Sequence, residues 1–333
     1  MSKLVHVTRD ALTLTRRRAG RGFCYRDADG KLICDPEVKA RIKALGIPPA
    51  WEEVRIAAEP RAHIQALGRD AAGREQYIYH PEWEEKRTAR KRRHLGLLMT
   101  ALPAVRRRVA RDLNAEAGSP ALALAIAVAL IDRAALRVGR EKYLKTSGTR
   151  GAGTLYSSDV RVKDGHVAMR FPAKSGKAAR YDIADRRLAD AVRRIKTLSG
   201  RRLLLYRGED GETRPITGEM INAYLAEAAG SHVTAKDFRT LHASALAGEE
   251  LASMERARSP TARRRQVAAA TRRVAEFLRN TPAISRKSYI APCLVELFEA
   301  GKLHLLWGDA DPGGPRGLKL REKKLGQVLA TIE

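Results

Sequence analysis

Residues 82–94, "EWEEKRTARKRRH", separate two parts of the chain that have different sequence patterns. The stretch is almost wholly polar, acidic first and basic later, which is typical of an exposed helix. Turn-rich, alternating segments precede it, and long helical patterns follow it. We therefore predict an α+β protein with a small N-terminal antiparallel β-sheet domain, residues 1–90, and a larger, mainly α-helical domain, residues 91–333.

The N-terminal part has the signals of a twisted antiparallel sheet with one helix. The segment "GFCYRDADGKLIC" alternates around Asp29-Gly30, as a hairpin does. Asp35 as a cap, Pro36 at the first helical position and Gly46 after the last turn predict a short helix. Residues 62–81, "AHIQALGRDAAGREQYIYHP", predict two strands joined by a Gly-rich turn.

Beyond residue 94 the sequence predicts helices, interrupted by a small β insert. The insert is residues 159–183, with turns at Asp164-Gly165 and Ser175-Gly176. A short helix that begins at Thr281-Pro282 carries Tyr289, another begins at Pro292, and the last residues form an amphipathic helix. The remaining predicted helices are 95–117, 120–145, 185–198, 217–229, 234–256 and 259–279.

The composition indicates a polyanionic partner. Lys and Arg number 64 against 38 Asp and Glu, so the formal net charge is +26. The aromatic content of 5% argues against a platform that stacks single-stranded bases, so duplex binding through phosphates fits better. The three cysteines form no C-x-x-C pair and no metal site is predicted.

The sequence also predicts where the protein is found. The N-terminus lacks a secretory signal. The longest apolar run, residues 121–131, is shorter than the roughly 20 residues that span a bilayer. We therefore predict a cytoplasmic protein without membrane association.

Tyr289, in "RNTPAISRKSYIAP", is the candidate nucleophile. A phenol needs nearby cations to ionise near neutral pH, and Arg279, Arg286 and Lys287 surround Tyr289 in sequence. On this stretch alone, a tyrosine with a buried ring and a solvated hydroxyl is the favoured interpretation.

Three other basic residues are candidates for phosphate binding. Arg239 lies with Lys236 and His242 on one stripe of a predicted helix, near its start. This basic stripe either binds an anion or faces solvent. Arg137 follows the most apolar helix and either contacts a partner or extends to solvent. Lys174 lies at the tip of a predicted hairpin, where lysines are usually solvated.

Four segments together resemble the type IB DNA topoisomerases of the poxvirus and bacterial kind. They are "LGRDAAGREQYIYHP", "LRVGREKYLK", "AKDFRT" and "NTPAISRKSYI", in family order, and the resemblance extends from about residue 20 to residue 301. It implies a monomeric, nucleoid-associated enzyme whose two domains together enclose duplex DNA. It also implies relaxation of positive and negative supercoils by transient cleavage of one strand, without ATP, metal or another cofactor.

The resemblance also implies roles for individual residues. Tyr289 matches the nucleophile that forms a 3′-phosphotyrosyl link, and Lys174 matches the general acid for the leaving 5′ oxygen. Arg137 and Arg239 match the arginines that hold the non-bridging oxygens. Asn280 stands where many relatives have histidine, so we assign it hydrogen bonding without proton transfer. The DNA contacts implied by the resemblance are Gln76, Tyr77, Tyr79, Arg140, Tyr143 and Lys236.

Two alternative functions stay open on the sequence. A tyrosine recombinase uses similar arginine, lysine and tyrosine chemistry, but its second arginine normally follows a His-x-x-Arg pattern, and here Lys236 takes the place of that histidine. A basic architectural DNA-binding protein would explain the charge but not the combination of the four segments.

Overall fold

The computed structural model describes residues 3–173, 178–308 and 315–331, with the side chains of residues 315–318 excepted. The chain divides into two compact units, Met1–Arg90 and Lys91–Glu333. The first holds an antiparallel sheet and the second is mainly helical with small sheets, which confirms the predicted α+β class.

The first unit is a five-stranded antiparallel sheet in the order β2-β1-β3-β4-β5, with helix α1 on one face. Helix α1, Pro36–Ala44, begins where the sequence predicts, because the Asp35 carboxylate accepts a hydrogen bond from the Glu37 N–H at 2.8 Å. Ile42 of α1 packs on one face of the sheet, and Leu12 packs on the other. The strands are β1 Leu14–Ala19, β2 Gly22–Arg26, β3 Glu52–Ile56, β4 Ile64–Arg69 and β5 Glu75–Tyr79.

The first hairpin lies earlier in the chain than the sequence pattern indicates. Strands β1 and β2 pair across a turn at Gly20, which has a φ of 55°. Around Asp29-Gly30 there is only an isolated bridge between Arg26 and Leu32. The Asp27 carboxylate accepts hydrogen bonds from the backbone of the turn, which then leads directly to the cap of α1. The alternation therefore reflects a local turn with one bridge and not a pair of full strands.

The second unit is built around α3, Pro120–Ala134, whose residues 122–132 are all buried. A helix that is apolar on all sides is expected to be covered on all sides. The other helices are α2 Pro81–Asp112, which begins in the first unit, α4 Glu141–Ser147, α5 Arg186–Ile195, α6 Gly218–Ala229, α7 Ala235–Ala252, α8 Pro260–Leu278, α9 Pro282–Ser288, α10 Pro292–Glu299, α11 Leu303–Trp307 and α12 Pro315–Ala330. The strands are β6 Val160–Lys163, β7 His166–Pro172 and β8 Ala178–Ala184 in one antiparallel sheet, and β9 Leu205–Arg207 and β10 Thr213–Pro215 in another.

Helix α3 is shorter than predicted. The sequence favours one helix over residues 120–145, but α3 ends at Ala134, and Ala135 is in the left-handed region with a φ of 49°. The carbonyl of Ala135 accepts a hydrogen bond from another helix, and the carbonyl of Arg137 accepts one from the Ala152 N–H at 2.8 Å. Because tertiary hydrogen bonds replace helical ones, residues 135–140 form an irregular segment, and Arg137 lies in it.

The C-terminal helices pack on α7. The Trp307 ring of α11 covers Gly248 so closely that a Cβ atom there would lie 2.2 Å from the ring. The Trp307 indole N–H donates to the Glu249 carboxylate at 3.2 Å. Among the described residues, no helix is both long and apolar enough to cross a bilayer.

Candidate active site

Tyr289 lies at a non-helical joint between α9 and α10. Helix α9 ends at Ser288, and the N–H groups of Tyr289 and Ile290 both donate to the Ser285 carbonyl at 3.1 Å. The half-buried ring of Tyr289 packs on a surface of small side chains that includes Ala243 and Ala247 of α7. The prolines that open α9 and α10 favour this arrangement, because each sets a new helix start.

Ser244 of α7 holds the backbone at this joint. Its fully buried hydroxyl donates to the Tyr289 carbonyl at 3.1 Å and accepts from the Ala291 N–H at 3.0 Å. The sequence gives no local signal for this role, since Ser244 is 45 positions from Tyr289 in the chain. The N–H of Tyr289 is therefore held by α9, the helix that precedes it, and its carbonyl by α7.

Arg239 extends from the first turns of α7 toward Tyr289. Residue Arg239 is only 3% exposed, so it does not belong to a solvated face. Its guanidinium donates to the carbonyl of Ala135 and, at 3.0 Å, to the carbonyl of Leu278. The guanidinium carbon lies 5.0 Å from the centroid of the Tyr289 ring. The carbonyls are at the ends of α3 and α8, so Arg239 connects both helix ends to the tyrosine.

Arg137 approaches the same region from the irregular segment after α3. Its Nη2 donates to the Asn280 side-chain oxygen at 2.6 Å and to the Arg279 carbonyl at 3.3 Å. The Arg137 main chain is held by close packing, because a Cβ atom on Gly151 would lie 2.4 Å from the Arg137 carbonyl oxygen. Only glycine at position 151 permits this approach.

The site is strongly electropositive. The hydrogen-bond partners found for Arg137 and Arg239 are neutral oxygens, so their charges are not cancelled there. Burial and the neighbouring charge of Arg239 lower the pKa of Arg137. Within the described part of the chain, the Arg239 Nε and the Asn280 side-chain nitrogen are buried donors without a hydrogen-bond partner. Buried donors normally find acceptors, so these two groups point to an anion.

The cations that act on Tyr289 come from distant parts of the chain. Burial by itself would raise the pKa of the Tyr289 phenol, but Arg239, Arg137 and Lys236 outweigh it and lower the pKa below the usual value of 10.0. These three residues are distant from Tyr289 in the chain, whereas the sequence indicated its neighbours Arg279, Arg286 and Lys287. The arrangement combines an activated phenol with two uncompensated guanidiniums, which suits attack on a phosphodiester.

Comparison with known proteins agrees with this chemistry. Residues 81–292 match the family described as eukaryotic DNA topoisomerase I, catalytic core. Residues 22–70 match the family described as bacterial DNA topoisomerase IB, N-terminal domain. The chain is 30% identical over 291 residues to DNA topoisomerase 1B of Acanthamoeba polyphaga mimivirus, and the match covers 85% of this chain and 87% of that protein. The chain belongs to the type IB DNA topoisomerases.

The structure of this topoisomerase locates most of the other residues that the resemblance named. Lys174 lies outside the described residues. Lys236 is in the first turn of α7. Arg140 is exposed as the residue that precedes α4, and Tyr143 on that helix is 53% exposed.

The three predicted DNA contacts of the topoisomerase's first unit lie on the edge strand β5, but not all on one side. Side chains alternate along a strand, so Gln76 faces the opposite side from Tyr77 and Tyr79. The Gln76 side chain donates to the Asp70 carboxylate at 2.9 Å, whereas the two tyrosine rings stack with centroids 5.9 Å apart. Their role in DNA binding stays a prediction.

One cluster of the topoisomerase has the composition of a metal site but is occupied by a guanidinium. The potential ligand atoms of Asp132, His242 and Glu322 lie within 4.8 Å of one another. The Arg106 guanidinium donates to both carboxylates at 2.8 to 2.9 Å. Arg106 therefore takes the position in which a cation would bind, and the cluster attaches α12 to α2 and α3.

Proposed function

We propose that this topoisomerase relaxes positive and negative supercoils by cutting and rejoining one DNA strand through Tyr289. It acts as a monomer and needs neither ATP nor a metal ion. The observation that carries the proposal is the contact between Arg239 and the Tyr289 ring, together with the lowered pKa of the phenol. A phenol with a lowered pKa is ionised more often at neutral pH and is the better nucleophile.

The reaction is an in-line displacement at phosphorus. The Tyr289 oxygen, which has lost its proton to solvent, forms a bond to phosphorus as the bond from phosphorus to the 5′ oxygen breaks. The products are a 3′-phosphotyrosyl ester and a free 5′-hydroxyl, and the resemblance assigns the proton of that hydroxyl to Lys174. Since the ester conserves the energy of the broken bond, the reverse reaction reseals the strand without a nucleotide.

Arg137 and Arg239 stabilise the charge that develops on the non-bridging oxygens. Guanidiniums suit this role because they stay charged and donate two hydrogen bonds in one plane. The unpartnered amide N–H of Asn280 donates to one of the same oxygens. Lys236, which also lowers the pKa of Tyr289, contacts the same phosphate.

The two parts of the chain share the work of DNA binding. Residues 1–90 form a DNA-binding domain, and residues 91–333 form the catalytic domain. The net charge of +26 supports a sequence-independent attraction to phosphates, which would associate the enzyme with the nucleoid in the cytoplasm. The proposed DNA contacts are Gln76, Tyr77 and Tyr79 in the first domain and Arg140 and Tyr143 in the second.

The decisive experiment is relaxation of positively and negatively supercoiled plasmids in chelator without nucleotide. The wild-type protein should relax both and, after quenching with detergent, remain attached to the 3′ end of a nick. Tyr289→Phe should bind the plasmid with nearly unchanged affinity and neither relax it nor form the adduct. Relaxation by Tyr289→Phe at the wild-type rate would reject the proposal, and a requirement for paired specific sites would favour a recombinase.

A further inference from the structure

Lys91 of helix α2 contacts the backbone on both sides of Tyr289. Its ammonium Nζ lies 3.1 Å from the Lys287 carbonyl oxygen and 3.0 Å from the Ile290 carbonyl oxygen. These residues are 196 and 199 positions away from Lys91 in the chain. One ammonium group therefore bridges the last turn of α9 and the first residue beyond the tyrosine.

The backbone carbonyls at this joint accept their hydrogen bonds from side chains. The last carbonyls of a helix have no partner within the helix, and Lys is well suited to a helix C-terminus, because its charge interacts favourably with the helix dipole. An ammonium has three N–H donors, so it can serve both carbonyls at once. Lys91 holds the carbonyls of residues 287 and 290, and Ser244 holds the carbonyl of Tyr289.

We propose that Lys91 is a positioning residue for the nucleophile: its ammonium fixes the joint between α9 and α10 so that the Tyr289 oxygen is aligned for in-line attack. This inference rests on the proposed function, because it assumes that Tyr289 attacks the phosphate. Lys91 acts through the backbone of residues 287 and 290. Arg239, Arg137 and Lys236 supply positive charge that lowers the phenol's pKa, whereas the contacts of Lys91 at this joint are with backbone carbonyls.

The position of Lys91 distinguishes it from its neighbours in the basic run of α2. Arg92 and Arg93 are exposed, whereas Lys91 is half-buried at the tyrosine joint. Loss of one positive charge from either position weakens the general attraction of the protein to DNA by a similar amount at a given salt concentration. Arg93→Met is therefore a matched control for Lys91→Met, since both remove one charge from the same helix and keep a long side chain.

The test measures plasmid relaxation by the full chain at increasing enzyme excess over supercoiled plasmid. The limiting rate at saturating enzyme reports the bound complex, and the half-saturating concentration reports DNA affinity and the fraction of folded protein. We expect Lys91→Met to lower the limiting rate by roughly 10- to 100-fold, since a misplacement of about 1 Å can cost 10²-fold. Its half-saturating concentration should stay close to that of Arg93→Met, whose limiting rate should equal that of the wild type.

Rescue by the conservative variant separates positioning from a loss of packing. Lys91→Arg restores donors that reach the two carbonyls, so it should recover most of the limiting rate. Equal limiting rates for Lys91→Met and Arg93→Met would overturn the inference, and so would a Lys91→Arg variant as slow as Lys91→Met. If Tyr289→Phe relaxed the plasmid in the same assay, the proposed function would fail first, so the two failures are distinguishable.

Discussion

Arg137 donates a hydrogen bond of 2.6 Å to the side-chain oxygen of Asn280, and this contact determines the orientation of the amide. With its oxygen facing Arg137, Asn280 directs its N–H₂ group away from that guanidinium. The nitrogen is buried and, among the described residues, has no hydrogen-bond partner. The described residues therefore leave the donors of this amide unused, as the proposed contact with a phosphate oxygen requires.

We predict that Asn280→Ala lowers the limiting rate of relaxation by about 10²-fold, the usual cost of one donor to a developing negative charge. Asn280→Asp should lower it at least as much, because a carboxylate keeps the contact with Arg137 but repels the phosphate. Asn114→Ala, a change on the exposed surface, is the control. A wild-type rate in Asn280→Asp would show that the amide does not contact the phosphate.

The phenol of Tyr289 should titrate at a lower pH than an ordinary tyrosine. Burial opposes ionisation, but Arg239, Arg137 and Lys236 favour the phenolate and lower the pKa below 10.0. The difference in near-ultraviolet absorbance between the wild type and Tyr289→Phe should therefore show one phenolate that forms below pH 10. Lys236→Met removes one of the cations and should move this titration to higher pH. A difference spectrum that appears only above pH 10 would contradict the prediction.

Arg239→Lys should damage both catalysis and folding. Two separate guanidinium nitrogens of Arg239 reach the buried carbonyls of Ala135 and Leu278, and a lysine has only one nitrogen, on a shorter side chain. We expect the free energy of unfolding to fall by about 2 kcal/mol, the cost of leaving a buried acceptor without its charged donor, and relaxation to be nearly abolished. Denaturant unfolding and the plasmid assay measure the two effects, with the exposed Arg272→Lys as control. Unchanged stability in Arg239→Lys would mean that the carbonyl contacts contribute little.

The cluster of Arg106, Asp132 and Glu322 should stabilise the docking of α12. Removing one partner of a buried ion pair leaves the other uncompensated, so Glu322→Gln should cost about 3 kcal/mol in the free energy of unfolding. Glu227→Gln is the control, because Glu227 is 68% exposed in its ion pair with Arg108 and should contribute at most about 1 kcal/mol. Denaturant unfolding measures both, and equal values for the two variants would contradict the prediction.

The contribution of Asp132 to stability should disappear in acid. Burial would raise the pKa of Asp132, but the hydrogen bonds and charge of Arg106 outweigh it and lower the pKa below 3.8. A carboxyl group whose pKa is lower in the folded state stabilises the fold above its unfolded pKa, and this stabilisation is lost as the pH falls through the folded pKa. The difference in stability between the wild type and Asp132→Asn should therefore be largest above about pH 4 and shrink below it.

Local sequence signals predicted the helix starts well. Ser119-Pro120 and Ser259-Pro260 begin α3 and α8 as expected, because each serine hydroxyl accepts a hydrogen bond from the N–H three residues on. The spacing of Thr234 and Asp237 also marked the start of α7, where the Asp237 carboxylate accepts from the Thr234 N–H at 2.8 Å. These interactions lie within one turn, so the sequence alone contains them.

Helix ends and site contacts were less predictable, since distant residues determine them. The end of α3 depends on Arg239, 104 positions from Ala135, and the attachment of α12 depends on Arg106, 216 positions from Glu322. The resemblance named Arg137, Arg239, Asn280 and Tyr289 as a set, and the structure brings them together. The resemblance did not reveal the neutral oxygens that hold the guanidiniums, or the roles of Ser244 and Lys91, because no local sequence pattern encodes these contacts.

The guanidinium of Arg239 completes two helix ends while it faces the tyrosine, so under the proposed mechanism its removal would disturb the scaffold together with catalysis. Tyr289→Phe, by contrast, removes a single oxygen atom and keeps the main-chain contact with Ser244. Crystallisation of a stalled complex with uncut DNA is therefore best begun from the phenylalanine variant, in which the architecture around the scissile bond remains that of the active enzyme.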